Sequence, residues 1–222
     1  METESKPPID DAFVWQFLRG VSEQLTSAEL ERWQVARASV RLDASRIAEE
    51  SSQLAEDPAA VRWIGFSSIV LATYRSLRSS LGDEGRALTM LREALTCPLR
   101  DQIVPYIEAR FGILEEAPEE GFQRVSENFR SRGEVSFGRG FRYVDDVRDD
   151  RRAFVNIDRC LFNEFFRQNG APEITPILCA LDNVWADELS KPEYGVRFER
   201  PTTLAGGDDA CRFQFTKTNA AR

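Results

Sequence analysis

Apolar residues recur every third or fourth position along most of this chain up to Arg132, and then every second position at Phe141-Arg-Tyr-Val-Asp-Asp-Val147. That change of period confines the fold to helices first and a small sheet afterwards, because helix and strand faces bury their apolar residues at different spacings. Ala12, Phe13, Trp15, Phe17 and Leu18 predict a short apolar-faced helix after a polar, loose start bearing Pro7-Pro8. Ser27 reads as the cap of a helix that reaches about Leu54, with Trp33, Val35 and Ala36 as its apolar positions. Asp57-Pro58 opens the next, closed by Gly82-Asp-Glu-Gly85; its run from Trp63 to Tyr74 is too short to span a membrane and reads as core. Ala87, Leu88, Leu91, Ala94 and Leu95 continue the helical spacing, Cys97-Pro98 is expected to interrupt it, and Ile103 to Phe111 resume it.

The acidic run Glu115 to Glu120 reads as a solvated linker into a helix over 119–132. Strands are expected at 141–147 and 153–157, joined by a turn at Asp149-Asp-Arg151. A helix carrying Cys160 and Phe166 should end at Gly170, and Thr175-Pro176 should cap and open the next, which carries Cys179, Asp182 and Trp185. Final strands are placed at 195–199 and 211–216. The expected class is α+β: N-terminal helices followed by a small antiparallel sheet with helices packed on one face. Residues 1–83 are assigned to a helical extension and 84–222 to the α+β domain.

Composition narrows the chemistry. The chain has no histidine in 222 residues, so proton transfer and nucleophilic attack must run on thiols, carboxylates, hydroxyls, Lys, Tyr or bound water. Its formal charge of -8 argues against nucleic acid or an anionic membrane as partner. The first residues have neither the basic nor the apolar segment of a secretory signal, so a cytoplasmic protein is expected. With 15 Phe and 4 Trp, the core does not depend on disulfides, and no cofactor or metal is expected.

The unusual chemistry gathers in the last third. Cys179 and Asp182 are three apart on a predicted helix and share a face. A carboxylate raises the pKa of a neighbouring thiol, so a reactive thiolate there would need a cation, with the arginines at 159, 197, 200 and 212 as candidates. Cys160 and Cys211 complete a set of three thiols. Their wide spacing lacks Cys-x-x-Cys pairs, leaving a metal-binding or redox-sensing ligand module as the alternative to an enzyme. Leu204-Ala-Gly-Gly is either a plain turn or, with Arg200, Thr202, Thr203 and Gly206, a seat for a carboxylate.

The segments Cys160-Leu-Phe-Asn-Glu-Phe-Phe-Arg-Gln-Asn-Gly170, Thr175-Pro-Ile-Leu-Cys-Ala-Leu-Asp182, Val196-Arg-Phe-Glu-Arg-Pro-Thr-Thr-Leu-Ala-Gly-Gly207 and Cys211-Arg-Phe213 resemble the L-2-amino-thiazoline-4-carboxylic acid hydrolase family over roughly residues 85 to 217. The resemblance implies hydrolytic opening of a cyclic amidine, in which water adds at the ring carbon and a ring bond, such as C–N, breaks on the route to N-carbamoyl-cysteine. It carries over Cys160, Cys179, Asp182, Arg200, Thr203, Gly206 and Cys211. A consistent division of labour has Asp182 activating water or Cys179 attacking, with Arg200 holding the carboxylate of a small-molecule substrate. The N-terminal helices are free to pair two subunits as a homodimer.

Overall fold

The computed structural model describes residues 11–219, so the expected loose start lies outside the described residues. Six helices come first: α1 (Asp11–Glu23), α2 (Ser27–Glu50), α3 (Pro58–Leu81), α4 (Glu84–Asp101), α5 (Ile103–Phe111) and α6 (Gly121–Phe137). Strands β1 (Phe141–Arg148) and β2 (Arg152–Cys160), helices α7 (Leu161–Gln168) and α8 (Thr175–Leu189), and strands β3 (Val196–Glu199) and β4 (Cys211–Lys217) follow. The sheet is antiparallel in the order β1-β2-β4-β3. This is the expected α+β arrangement.

Capping explains several boundaries. Asp57 accepts the Ala60 N–H and so starts α3 at Pro58, and Gly82, in the left-handed region, ends it. At α2 the cap is Thr26 rather than Ser27. Its N–H and its hydroxyl both donate to the Glu29 carboxylate three residues on, and Ser27 has no glutamate at that spacing. Val35 also departs from expectation, facing solvent while Trp33, Val40, Ala44 and Ile47 form the buried stripe of α2. Pro98 does not interrupt α4, which continues to Asp101. A proline removes one N–H bond, and burial of Leu95 and Leu99 on either side outweighs that loss for one further turn. Thr175 is not a cap: a 3-10 turn at Pro172–Ile174 already leads the chain into α8, and the Thr175 hydroxyl is buried without a hydrogen-bond partner among the described residues.

Alternation along the strands turns one face of the sheet inward. Phe141 and Tyr143 of β1, Ala153, Val155 and Ile157 of β2, Val196 of β3 and Cys211, Phe213 and Phe215 of β4 are buried. Pairing sets Ile157 opposite Cys211 and Val155 opposite Phe213. Helices α6 and α8 cover this face, with Phe129 and Trp185 against Phe213 and Phe215. The buried cluster runs from Phe17 to Phe215 without a break at residue 83.

Candidate active site

Between the inward face of the sheet and the helices lies a cavity of about 120 Å³. An engineered protein cavity of about 150 Å³ takes up benzene, so this one, somewhat smaller, is on the scale of a single small ring. Its wall divides by chemistry. Trp63 of α3, Phe137 of α6, Phe141 of β1 and Phe162 of α7 supply aromatic surface, and Phe13 of α1 joins them. Tyr106 and Arg110 of α5, Cys179 and Asp182 of α8, Cys160, Cys211 and Arg200 supply the polar groups.

Each polar group is placed by its element. Cys179 and Asp182, three apart on α8, both reach the cavity, as their spacing requires. Cys160 ends β2 and stands at the start of α7. Cys211 opens β4 opposite Ile157, on the inward face, and its Sγ accepts the Leu204 N–H at 3.3 Å. Arg200, just past β3, donates from one nitrogen to Asp182 Oδ2 at 2.5 Å and from the other to the Cys179 carbonyl at 3.2 Å. Asp182 Oδ1 accepts the Trp185 Nε1–H at 3.0 Å, so both of its oxygens are held.

Burial governs the protonation of these groups. It raises the Asp182 carboxyl above its ordinary value, and Arg200, the Trp185 N–H and Arg110 oppose the rise without reversing it. The Cys179 thiol is pushed up to about 12, first by burial and then by the Asp182 charge, and Arg200 recovers only part of this. Burial likewise raises Cys160 and Cys211. All three thiols are therefore protonated at neutral pH. None is disulfide-bonded, and among the described residues no three Cys, Asp or Glu side chains converge so as to hold a metal ion.

The glycine-bearing loop does not supply the expected carboxylate seat. Thr202, Thr203 and Gly206 lie outside the cavity wall, and their polar atoms close the loop on itself. The Thr202 hydroxyl donates to the Ala210 carbonyl and accepts from Arg212, while the Thr203 hydroxyl accepts the Gly206 N–H. The N–H groups of Thr203, Gly206, Gly207 and Asp208 are satisfied within the loop. The other candidate cations are also engaged elsewhere: Arg159 with Glu56 and Glu164, Arg197 with Glu199, and Arg212 with Asp209. Arg110 is the functional candidate that sequence reasoning missed. The signal was available, since Arg110 follows Ile103 by seven and Ile107 by three and so falls on the apolar face of α5.

A family model for L-2-amino-thiazoline-4-carboxylic acid hydrolase matches residues 64–215. The chain belongs to this family. No curated protein matches the chain. The match extends the resemblance toward the N-terminus, taking in α3 from its second turn onward, and among the described residues it contains every cavity-lining residue except Phe13 and Trp63. In this member of the L-2-amino-thiazoline-4-carboxylic acid hydrolase family, the N-terminal helices therefore contribute directly to the wall of the cavity. Among the described residues, no helix is long and apolar enough to cross a membrane.

Proposed function

We propose that the protein hydrolyses a cyclic amidine in a small carboxylate-bearing substrate, with Asp182 as the base that activates water. The observation that carries this reading is the setting of Asp182, a carboxylate fixed by Trp185 and Arg200 at the wall of a ring-sized aromatic cavity that raises its pKa. A raised carboxyl is a stronger base than an exposed one, and it gains further from fixed orientation.

In the step proposed, the oxygen of water bonds to the amidine carbon, and one water proton passes to Asp182, which relays it to the amidine nitrogen. Collapse of the tetrahedral carbon re-forms a carbonyl and breaks a ring bond, and the hydroxyl proton given up in the collapse passes through Asp182 to the leaving atom. Breaking C–N releases an amine, whereas breaking C–S releases a thiol. Arg200 orients Asp182, and Cys160, Cys179 and Cys211 meet the substrate as neutral thiols. Their raised pKa values favour Asp182 over Cys179 as the group that starts the reaction, and they speak against redox sensing, which needs accessible thiolates.

The test is incubation with 2-aminothiazoline-4-carboxylate, following amine and thiol release separately. Wild type and Cys179→Ser should turn over and Asp182→Asn should not. An active Asp182→Asn with a dead Cys179→Ser would overturn the reading in favour of a cysteine nucleophile.

A further inference from the structure

The charges on the cavity wall do not balance. Among the described residues, Arg110 and Arg200 are its cations and Asp182 its only carboxylate, so with the thiols and phenols neutral the wall carries one excess positive charge. The excess belongs to Arg110, because Arg200 is already paired with Asp182. Arg110 is only 8% exposed, yet no Asp or Glu lies within ion-pair distance of it among the described residues. One of its nitrogens donates to the Phe129 carbonyl at 2.8 Å, and its guanidinium lies 4.6 Å from the centre of the Phe129 ring. These contacts fix the side chain but give it no ion pair; Asp182 acts on it only from beyond pairing distance and is shared with Arg200, and a buried charge without a partner of its own is costly.

The aromatic part of the wall is equally well defined. Trp63 stacks on Phe137 at 4.8 Å, Phe162 meets Trp63 edge-on at 5.3 Å and Phe141 at 5.1 Å, and Phe137 lies 4.7 Å from Phe141. These rings come from α3, α6, β1 and α7, and the charged groups come from α5, α8 and the loop after β3. Such surface binds an apolar body, and a polar headgroup would lose its hydration there without recompense.

We infer that the cavity selects a monoanionic acid with an apolar body: Arg110 binds the acid group, and the rings of Trp63, Phe137, Phe141 and Phe162 hold the body. The inference deepens the hydrolase reading by naming the anchor of the substrate carboxylate and the shape of the remainder. It rests on that reading only in taking this cavity as the ligand site. Arg200 then serves Asp182, and Arg110 serves the substrate.

Equilibrium binding of unreactive probes tests this without any turnover, so a failed hydrolysis assay leaves it standing and the converse also holds. The probes are 3-phenylpropanoate, its amide 3-phenylpropanamide, and propanoate, titrated by calorimetry into the full-length protein. The phenyl acid should bind at least tenfold more tightly than both the amide and propanoate. Arg110→Met should bring acid and amide to equal affinity, and Arg110→Lys should retain part of the preference, with circular dichroism confirming that both variants are folded. Equal binding of acid and amide to wild type, or an unchanged preference in Arg110→Met, would overturn the role of Arg110. Equal binding of propanoate and phenylpropanoate would overturn the role of the rings. Should Arg110→Met not fold, Arg110→Gln takes its place, and equal binding of acid and amide to wild type overturns the role of Arg110 without any variant.

Discussion

Asp57 and Asp182 are the same residue in opposite circumstances. Both are partly shielded from water, and in both burial pushes the carboxyl upward. At Asp57 the N–H groups of Arg139, Ala60 and Ala59 outweigh burial, and the carboxyl ends below its ordinary value. One of its oxygens accepts the Ala60 N–H at 2.7 Å and the other the Arg139 N–H at 2.6 Å, joining the start of α3 to the turn before β1. At Asp182 the donors are a guanidinium and an indole, the surroundings are aromatic, and burial prevails. The difference separates two uses of a carboxylate. Backbone donors make an anion that holds the fold together, while an aromatic cavity makes one poised to accept a proton.

The sharpest way to break this comparison is to exchange the consequences. Asp182→Asn keeps an acceptor for Trp185 and removes the base, so the rate should fall by about 10²- to 10⁴-fold, the usual contribution of a positioned general base. Because the Asp182 pKa is raised, the ionised form is lost as pH falls through a value above that of an exposed aspartate, about 4. The acid limb of kcat/KM in wild type should therefore lie above pH 4. A limb at or below that value would mean that Asp182 is another structural carboxylate like Asp57.

The thiols extend the same contrast. Cys97 is exposed on α4, whereas Cys160, Cys179 and Cys211 line the cavity with pKa values raised by burial. Native protein treated with a thiol-specific disulfide reagent at pH 8 should show one fast thiol and three that react slower by orders of magnitude, because the thiolate is the attacking form. All four should react at once in denaturant. A second fast thiol in the native state, lost in Cys179→Ser, would restore the nucleophile reading.

Asp57→Ala should leave the chemistry intact and cost about 1–2 kcal/mol of stability through the lost cap and the lost tie to Arg139. The sign with pH follows from the lowered pKa. The contribution of Asp57 is present above the ordinary aspartate value and is lost as pH falls through the folded one, so the stability gap between wild type and Asp57→Ala should narrow in acid. Denaturant melts at pH 7 and pH 3 measure this, and a gap that widens in acid would contradict the assignment.

These cases also show what a sequence reveals. The Asp57 cap, the Gly82 stop, the inward face of the sheet and the shared face of Cys179 and Asp182 follow from spacings of two to four residues, where local geometry decides. Arg110 depended on partners far along the chain. Thr203 and Gly206 are only three apart, so the turn that closes on the Thr203 hydroxyl was a local signal, whereas Thr202 meets Ala210 across the loop, eight residues on. Nothing near Arg110 indicates that Asp182 will be taken by Arg200. Pro98 misleads in the other direction, because a local breaking signal is outweighed by the tertiary burial of Leu95 and Leu99.

The mildest test concerns the outer face of α2, as far in character from the cavity as the described chain reaches. Val35 and Leu42 are 79% and 75% exposed, and Trp33, Val40, Ala44 and Ile47 bury the opposite stripe. If that face meets only water, Val35→Glu and Leu42→Glu should each change stability by less than about 0.5 kcal/mol and leave the sedimentation coefficient unaltered. If α2 pairs two subunits, as the sequence allows, either substitution places a charge in an apolar contact and should lower the sedimentation coefficient toward that of a single chain. In both cases turnover per chain should be unchanged, because neither residue lines the cavity; only Phe13 and Trp63 carry the N-terminal helices into its wall. A loss of turnover in Val35→Glu without dissociation would tie the outer helix to the site and erase the separation between holding the fold and poising the base.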